Sequence, residues 1–149
     1  MKIFASGSLA YDRIMDFPGK FSDHILPDKI HVMNVCFMVN GVMERFGGTA
    51  GNIAYNLALL GEKPVILASA GKDFGMYREW LKKLGLPFSG ICEISDQLTA
   101  GAYITTDQSD NQITAFSPGA MNFPSGFTFE GVCKGDAVGI ISPGNLEDM

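Results

Sequence analysis

RFGGTAGNIAYNLALLG, residues 45 to 61, is the stretch on which the reading of this chain turns. Two adjacent glycines, Gly47 and Gly48, let backbone approach a ligand closely, because no Cβ intervenes. The spacing then predicts a helix over 52–60. Ile53, Leu57 and Leu60 form one stripe, with Ala54 and Ala58 beside it for close packing. Gly61 caps this helix and Pro64 forbids its continuation. A helix N-terminus is expected to present unpaired N–H groups behind the glycines. Asn52, near its start, can both donate and accept hydrogen bonds. This corner suits a polar small molecule. A plain tight turn with Asn52 as a cap residue fits the same letters.

Upstream, residues 2 to 6 (KIFAS) read as a short buried strand ending at Gly7-Ser8. Downstream, residues 65 to 70 (VILASA) read as a second, and residues 74 to 84 as a helix with Tyr77, Trp80, Leu81 and Leu84 on its apolar side. Strand, turn, helix, strand, helix is the pattern of a parallel α/β sheet with crossover helices. After Pro87, residues 90 to 95, 100 to 106 and 112 to 116 look like strands, the last two joined by a turn at 107–111. Residues 137 to 142 (AVGIIS) look like a further buried strand. Residues 30 to 39, IHVMNVCFMV, also read as a strand, apolar on both faces and so needing cover on both sides. The β-rich pieces near 11–17, 30–39 and 100–117 form a layer apart from the α/β core.

Composition narrows the function classes. Of 149 residues, 46% are hydrophobic and 18% charged, which is globular. A net charge of -5 argues against non-specific nucleic-acid binding. Three cysteines at wide spacings (36, 92 and 133) suit neither a disulfide framework nor a zinc site, and are expected to be buried reduced thiols. With no signal peptide and no run of about 20 apolar residues, a soluble, cytoplasmic protein without a membrane partner is expected. Asp73-Phe74-Gly75 spells a protein-kinase magnesium motif, but no catalytic loop accompanies it. No Walker A stretch and no G-x-G-x-x-G occur.

Asp12 lies just beyond the first strand, where open α/β sheets bind ligands, and a carboxylate suits a vicinal diol. A solvated surface aspartate is the alternative. GSLAYD (7–12), GGTAGN (47–52) and SAGKDF (69–74) together resemble the N-terminal pattern of the ribokinase (PfkB) carbohydrate kinases. DRIMDFPGKFSDHILPDKIH (12–31), YREWLKKLG (77–85) and TTDQSDNQITAFSPGAM (105–121) are more similar to bacterial adenosine kinases than to sugar kinases at large.

The resemblance implies a three-layer α/β/α Rossmann-like sandwich of the ribokinase type, of which this chain is the N-terminal half. A small β-sheet lid, about 11–46 and 99–118, would close over substrate and join a homodimer. By the same resemblance Asp12 would hold sugar hydroxyls, with Gly47, Gly48 and Asn52 completing the clamp and Ser8 near the same pocket. Phe116 would stack on a nucleobase. Cys36 stands where the nearest relatives carry a small hydroxyl, and Ala102 where relatives carry a second aromatic.

The implied activity is ATP-dependent phosphorylation of a hydroxymethyl group on a nucleoside, adenosine-like, or on a sugar. ATP, Mg2+ and a monovalent cation would belong to the full-length parent. The family's catalytic Gly-Ala-Gly-Asp stretch is absent from these 149 residues. The fragment is therefore expected to carry no catalytic residue and no metal site and to be inactive alone. A non-catalytic substrate-binding or dimerisation fragment, or a ribose-type kinase, is the alternative.

Overall fold

The computed structural model describes residues 1–127, 131, 133 and 135–149. Contacts divide the chain into two compact units. The first comprises 1–11, 46–101 and 117–149, and the second 12–45 and 102–116.

The first unit holds a four-stranded sheet in the order β5-β4-β1-β8, made of β1 (Lys2–Ser6), β4 (Val65–Gly71), β5 (Ile91–Ile94) and β8 (Ala137–Ile141). Its three pairings are all parallel, with Phe4 opposite Val65 and Gly139. Parallel neighbours need crossovers, and among the described residues two helices lie between the strands: α1 (Thr49–Leu59) and α2 (Gly75–Lys83). Ile66, Ala68 and Ala70 alternate onto one face of β4 and pack with Ala50 and Ala54 of α1 and Tyr77 and Leu81 of α2. Small side chains on β4 and α1 let helix backbone come close to the sheet.

Both helices end on a left-handed glycine. After α1, Gly61 (φ +87°) donates to the Ala58 carbonyl and Glu62 to that of Leu57. After α2, Gly85 (φ +67°) and Leu86 repeat the pattern onto Lys82 and Leu81. These paired bonds satisfy carbonyls that the helix itself leaves open. The stop expected at Gly61 therefore holds, while α1 begins three residues before the predicted 52.

The second sheet runs in the order β3-β2-β6-β7, from β3 (Val42–Gly47), β2 (Ala10–Asp16), β6 (Ala100–Thr106) and β7 (Gln112–Ser117). Within the second unit, Phe17, Phe21 and Phe37 knot together, Phe17 and Phe37 at 4.7 Å between ring centres. Asp107 ties this knot to the 107–111 turn. Its carboxylate accepts from the backbone N–H of Phe21, Ser109 and Asn111 and from the Asn111 side chain.

Residues 30 to 39 depart from the expected strand. A 3-10 turn covers Pro27–Val32, and 33–39 are irregular. Ile30, Val32, Met33 and Met38 are 55–85% exposed, so the two-sided cover inferred from their character is not supplied within the described residues. β-branched composition favours a strand only where a partner strand offers hydrogen bonds, and none lies alongside here. The cysteines also depart from expectation. Cys36 is exposed and Cys92 and Cys133 half-buried, all three as free thiols. Among the described residues no helix is long and apolar enough to cross a membrane.

Candidate functional site

The glycine corner is built by β1, α1 and α2. Gly48 is the residue before α1 and has φ +90° and ψ 148°, a conformation open to glycine. A Cβ there would stand 2.5 Å from the Ser8 carbonyl oxygen and 2.7 Å from both Ala10 N and Leu9 Cα. The corner is therefore pressed against the connection that leaves β1, and glycine is required twice over, by angle and by space.

The first N–H groups of α1 are not free, as the sequence suggested. Ser8 supplies the cap from the connection between β1 and β2. Its Oγ accepts from Thr49 N (3.0 Å) and its carbonyl from Ala50 N (3.0 Å). Thr49 Oγ1 in turn accepts from Ser8 N (3.0 Å) and Ser142 Oγ (3.0 Å) and donates to the Pro143 carbonyl (2.6 Å). These hydroxyls bind the head of α1 to the C-terminal ends of β1 and β8, which removes N–H groups from ligand duty and rigidifies the corner.

Of the residues singled out from sequence, Ser8, Gly47 and Gly48 come together here. Ser8 and Gly47 are buried. Asn52 sits in the first turn of α1, its N–H donating to the Gly48 carbonyl (2.9 Å) and its side chain exposed. Tyr77, read from sequence only as an apolar helix residue, sends its hydroxyl to the Gly47 carbonyl (2.8 Å). Helical spacing identified the ring as core but carries no signal for where its oxygen points.

The other candidates belong to the second unit. Asp12, on β2, is half-buried, and its carboxylate meets neither a hydrogen-bond donor nor a cation among the described residues. Burial pushes its pKa above the ordinary aspartate value, since desolvation disfavours the charged form. Its neighbour Arg13 is committed elsewhere, with Nε 2.9 Å from Glu44 on β3 and its guanidinium over the Tyr103 ring. Ala102 is half-buried on β6, Phe116 is 51% exposed on β7, and Cys36 is exposed in the irregular 33–39 segment. Among the described residues no three His, Cys, Asp or Glu gather to hold a metal ion.

Comparison with known proteins bears on the fold and the family. Over 98% of its length the chain superimposes on the nucleoside kinase of Burkholderia thailandensis in complex with inosine, with a TM-score of 0.80 and 38% identity. It covers 46% of that chain. It is 28% identical over 123 residues to a nucleoside kinase of Methanothermobacter thermautotrophicus, spanning 81% of this chain and 37% of that relative. The ribokinase of Cryptococcus neoformans in complex with ADP shares the fold at a TM-score of 0.70 and 20% identity over 88% of this chain and 39% of that one. The chain thus spans less than half of these relatives and has the ribokinase-type α/β fold over that portion. The family model for pfkB family carbohydrate kinases matches residues 22 to 130, and the glycine corner lies inside that match. On the fold, the corner and this match together, the chain belongs to the PfkB carbohydrate kinase family.

Proposed function

We propose that this chain is the substrate-gripping portion of an ATP-dependent kinase that phosphorylates the hydroxymethyl group of a nucleoside, adenosine-like in its base. The observation that carries the reading is Asp12, a half-buried carboxylate with no protein partner among the described residues and a raised pKa. A desolvated charge without a partner costs stability, and such groups mark sites where a ligand supplies the missing hydrogen bonds. Asp12 accepts from sugar hydroxyls, Asn52 adds an exposed amide, and Gly48 lets backbone approach the sugar, with Ser8 and Gly47 holding the corner in shape. The second unit serves as a lid and homodimer surface, with Phe116 stacking on the base beside Cys36 and Ala102. Relatives that are nucleoside kinases, one of them solved with inosine, favour a nucleoside over a free sugar.

ATP, with Mg2+, is the donor in this reading. Phosphoryl transfer rests on positioning and charge stabilisation around the γ-phosphate. The family's Gly-Ala-Gly-Asp stretch does not occur in these 149 residues, so no catalytic base is assigned to them. What it contributes is orientation: an ionised Asp12 fixes the sugar so that its primary hydroxyl is presented in one direction.

Titration calorimetry with inosine, adenosine and ribose tests the grip. Asp12→Ala is expected to abolish nucleoside binding while the melting temperature holds. Unchanged affinity in that variant would show that the pocket is misplaced. Ribose binding as tightly as the nucleosides would shift the reading to a sugar kinase.

A further inference from the structure

The inference concerns Tyr77 and rests on the binding role proposed for the glycine corner. Tyr77 is fully buried on α2, its ring among Phe46, Phe74, Trp80 and Tyr11 at 5.0–5.9 Å between centres. Those rings would hold a phenylalanine equally well. The hydroxyl therefore has to be explained separately, because a buried O–H costs free energy unless it is bonded.

Its bond goes to the carbonyl of Gly47, the residue immediately before the left-handed Gly48. Gly48 is pressed on its other side against the backbone of Ser8, Leu9 and Ala10. The corner is thus held from two directions, by backbone below and by one hydroxyl from α2. Gly51, one turn into α1, completes the arrangement: a Cβ there would overlap the Tyr77 hydroxyl oxygen. A glycine inside a helix costs stability relative to alanine, and here the missing methyl is the space the hydroxyl occupies. Tyr77 is aimed in turn by Tyr11, whose hydroxyl accepts from the Tyr77 N–H (3.3 Å) and donates to the Asp73 carbonyl (2.9 Å).

We propose that Tyr77 is a positioning residue for substrate, its hydroxyl fixing the Gly47–Gly48 corner in the geometry that receives the sugar, with Gly51 kept free of a side chain to admit it. The residue does not touch substrate. It acts through the Gly47 peptide, so its loss loosens one loop without emptying the core.

Tyr77→Phe and Gly51→Ala, singly and together, provide the test. Amide hydrogen exchange is followed at 47–50 and, for comparison, in β1 and β4, because local opening is resolved from global unfolding in that way. Inosine affinity is measured in parallel. Tyr77→Phe is expected to speed exchange at 47–50 about tenfold with β1 and β4 unchanged, and to weaken inosine about tenfold. Gly51→Ala should do the same by displacing the hydroxyl, and the double variant should be no worse than the worse single, because both act on one bond. Unchanged exchange at 47–50 in Tyr77→Phe, uniform acceleration across the sheet, or fully additive effects would each overturn the assignment. If the parent chain binds no inosine, the binding proposal fails by itself, and the exchange measurements still decide the role of Tyr77.

Discussion

Gly48 and Gly61 form a natural pair for testing how tightly the corner is built. Their φ angles are nearly equal, +90° and +87°. Alanine at 61 meets nothing within 4 Å, whereas alanine at 48 meets the Ser8 carbonyl oxygen at 2.5 Å and Leu9 and Ala10 backbone at 2.7 Å. Gly61→Ala should therefore lose only the backbone penalty for a left-handed alanine, about 1–2 kcal/mol. Gly48→Ala should lose about 1–3 kcal/mol for a conformation that excludes side chains. Overpacking adds a further ~1–3 kcal/mol, because backbone, unlike a flexible side chain, cannot swing aside. Against a total stability on the order of 5–15 kcal/mol, the larger loss is a severe one. Thermal and urea melts of the two variants should differ by about 2 kcal/mol or more, which at this chain length is a gap of roughly 4–8 °C in midpoint. Equal destabilisation would mean that the contact under Gly48 relaxes freely, and the description of a rigid corner would be wrong.

Two further outcomes are expected. Burial pushes the Asp107 carboxyl upward, but hydrogen bonds from Phe21 N, the Asn111 side chain, Asn111 N and Ser109 N outweigh it and hold the pKa at about 2, below the ordinary 3.8. Its contribution is accordingly present in full above about pH 4 and lost as pH falls toward 2. Urea melts of the parent and Asp107→Ala should therefore differ most at pH 7 and converge only as the pH falls to about 2 and below; a pH-independent difference would refute this. Phe116→Ala should weaken nucleoside binding about 5- to 150-fold, the range for loss of one base-stacking contact of ~1–3 kcal/mol, and leave ribose binding untouched. Equal losses for both ligands would remove Phe116 from the base site.

Much of the α/β core was legible because its signals are local. Continuous apolar runs gave β1, β4 and β8, and the glycine stop at 61 gave the end of α1; the burial expected of β8 does not hold, because it is the edge strand of its sheet and leaves Val138 and Ile141 42% and 62% exposed. Sequence put Gly47 and Gly48 ahead of a helix, as the structure has them, but not the fate of the helix N–H groups, since the Ser8 cap comes from a loop 41 residues away. β3 was missed because VMERFG sets two adjacent charges, Glu44 and Arg45, between apolar residues, which breaks the strand period, and it becomes a strand only at the edge of a sheet beside β2. The opposite error fell on 30–39, whose composition suits a strand but which pairs with no strand among the described residues. In both cases pairing, a property of the whole fold, decided against or beyond the letters. The direction of the Tyr77 hydroxyl is of the same kind, because periodicity names a buried face and says nothing about a single oxygen on it.

The partnership of β1 with β8 has a consequence for how the molecule is made. Ser6 and Ser142, bonded across that pairing, stand 136 residues apart, so one flank of β1 waits for a strand that is made much later. Long-range parallel pairing of this kind is slow, and an unpaired apolar strand is prone to stick to other chains meanwhile. Synthesis therefore passes through a long interval in which Lys2–Ser6 has β4 on one side and water on the other, and a chaperone that shelters nascent strand edges would raise the yield of folded protein.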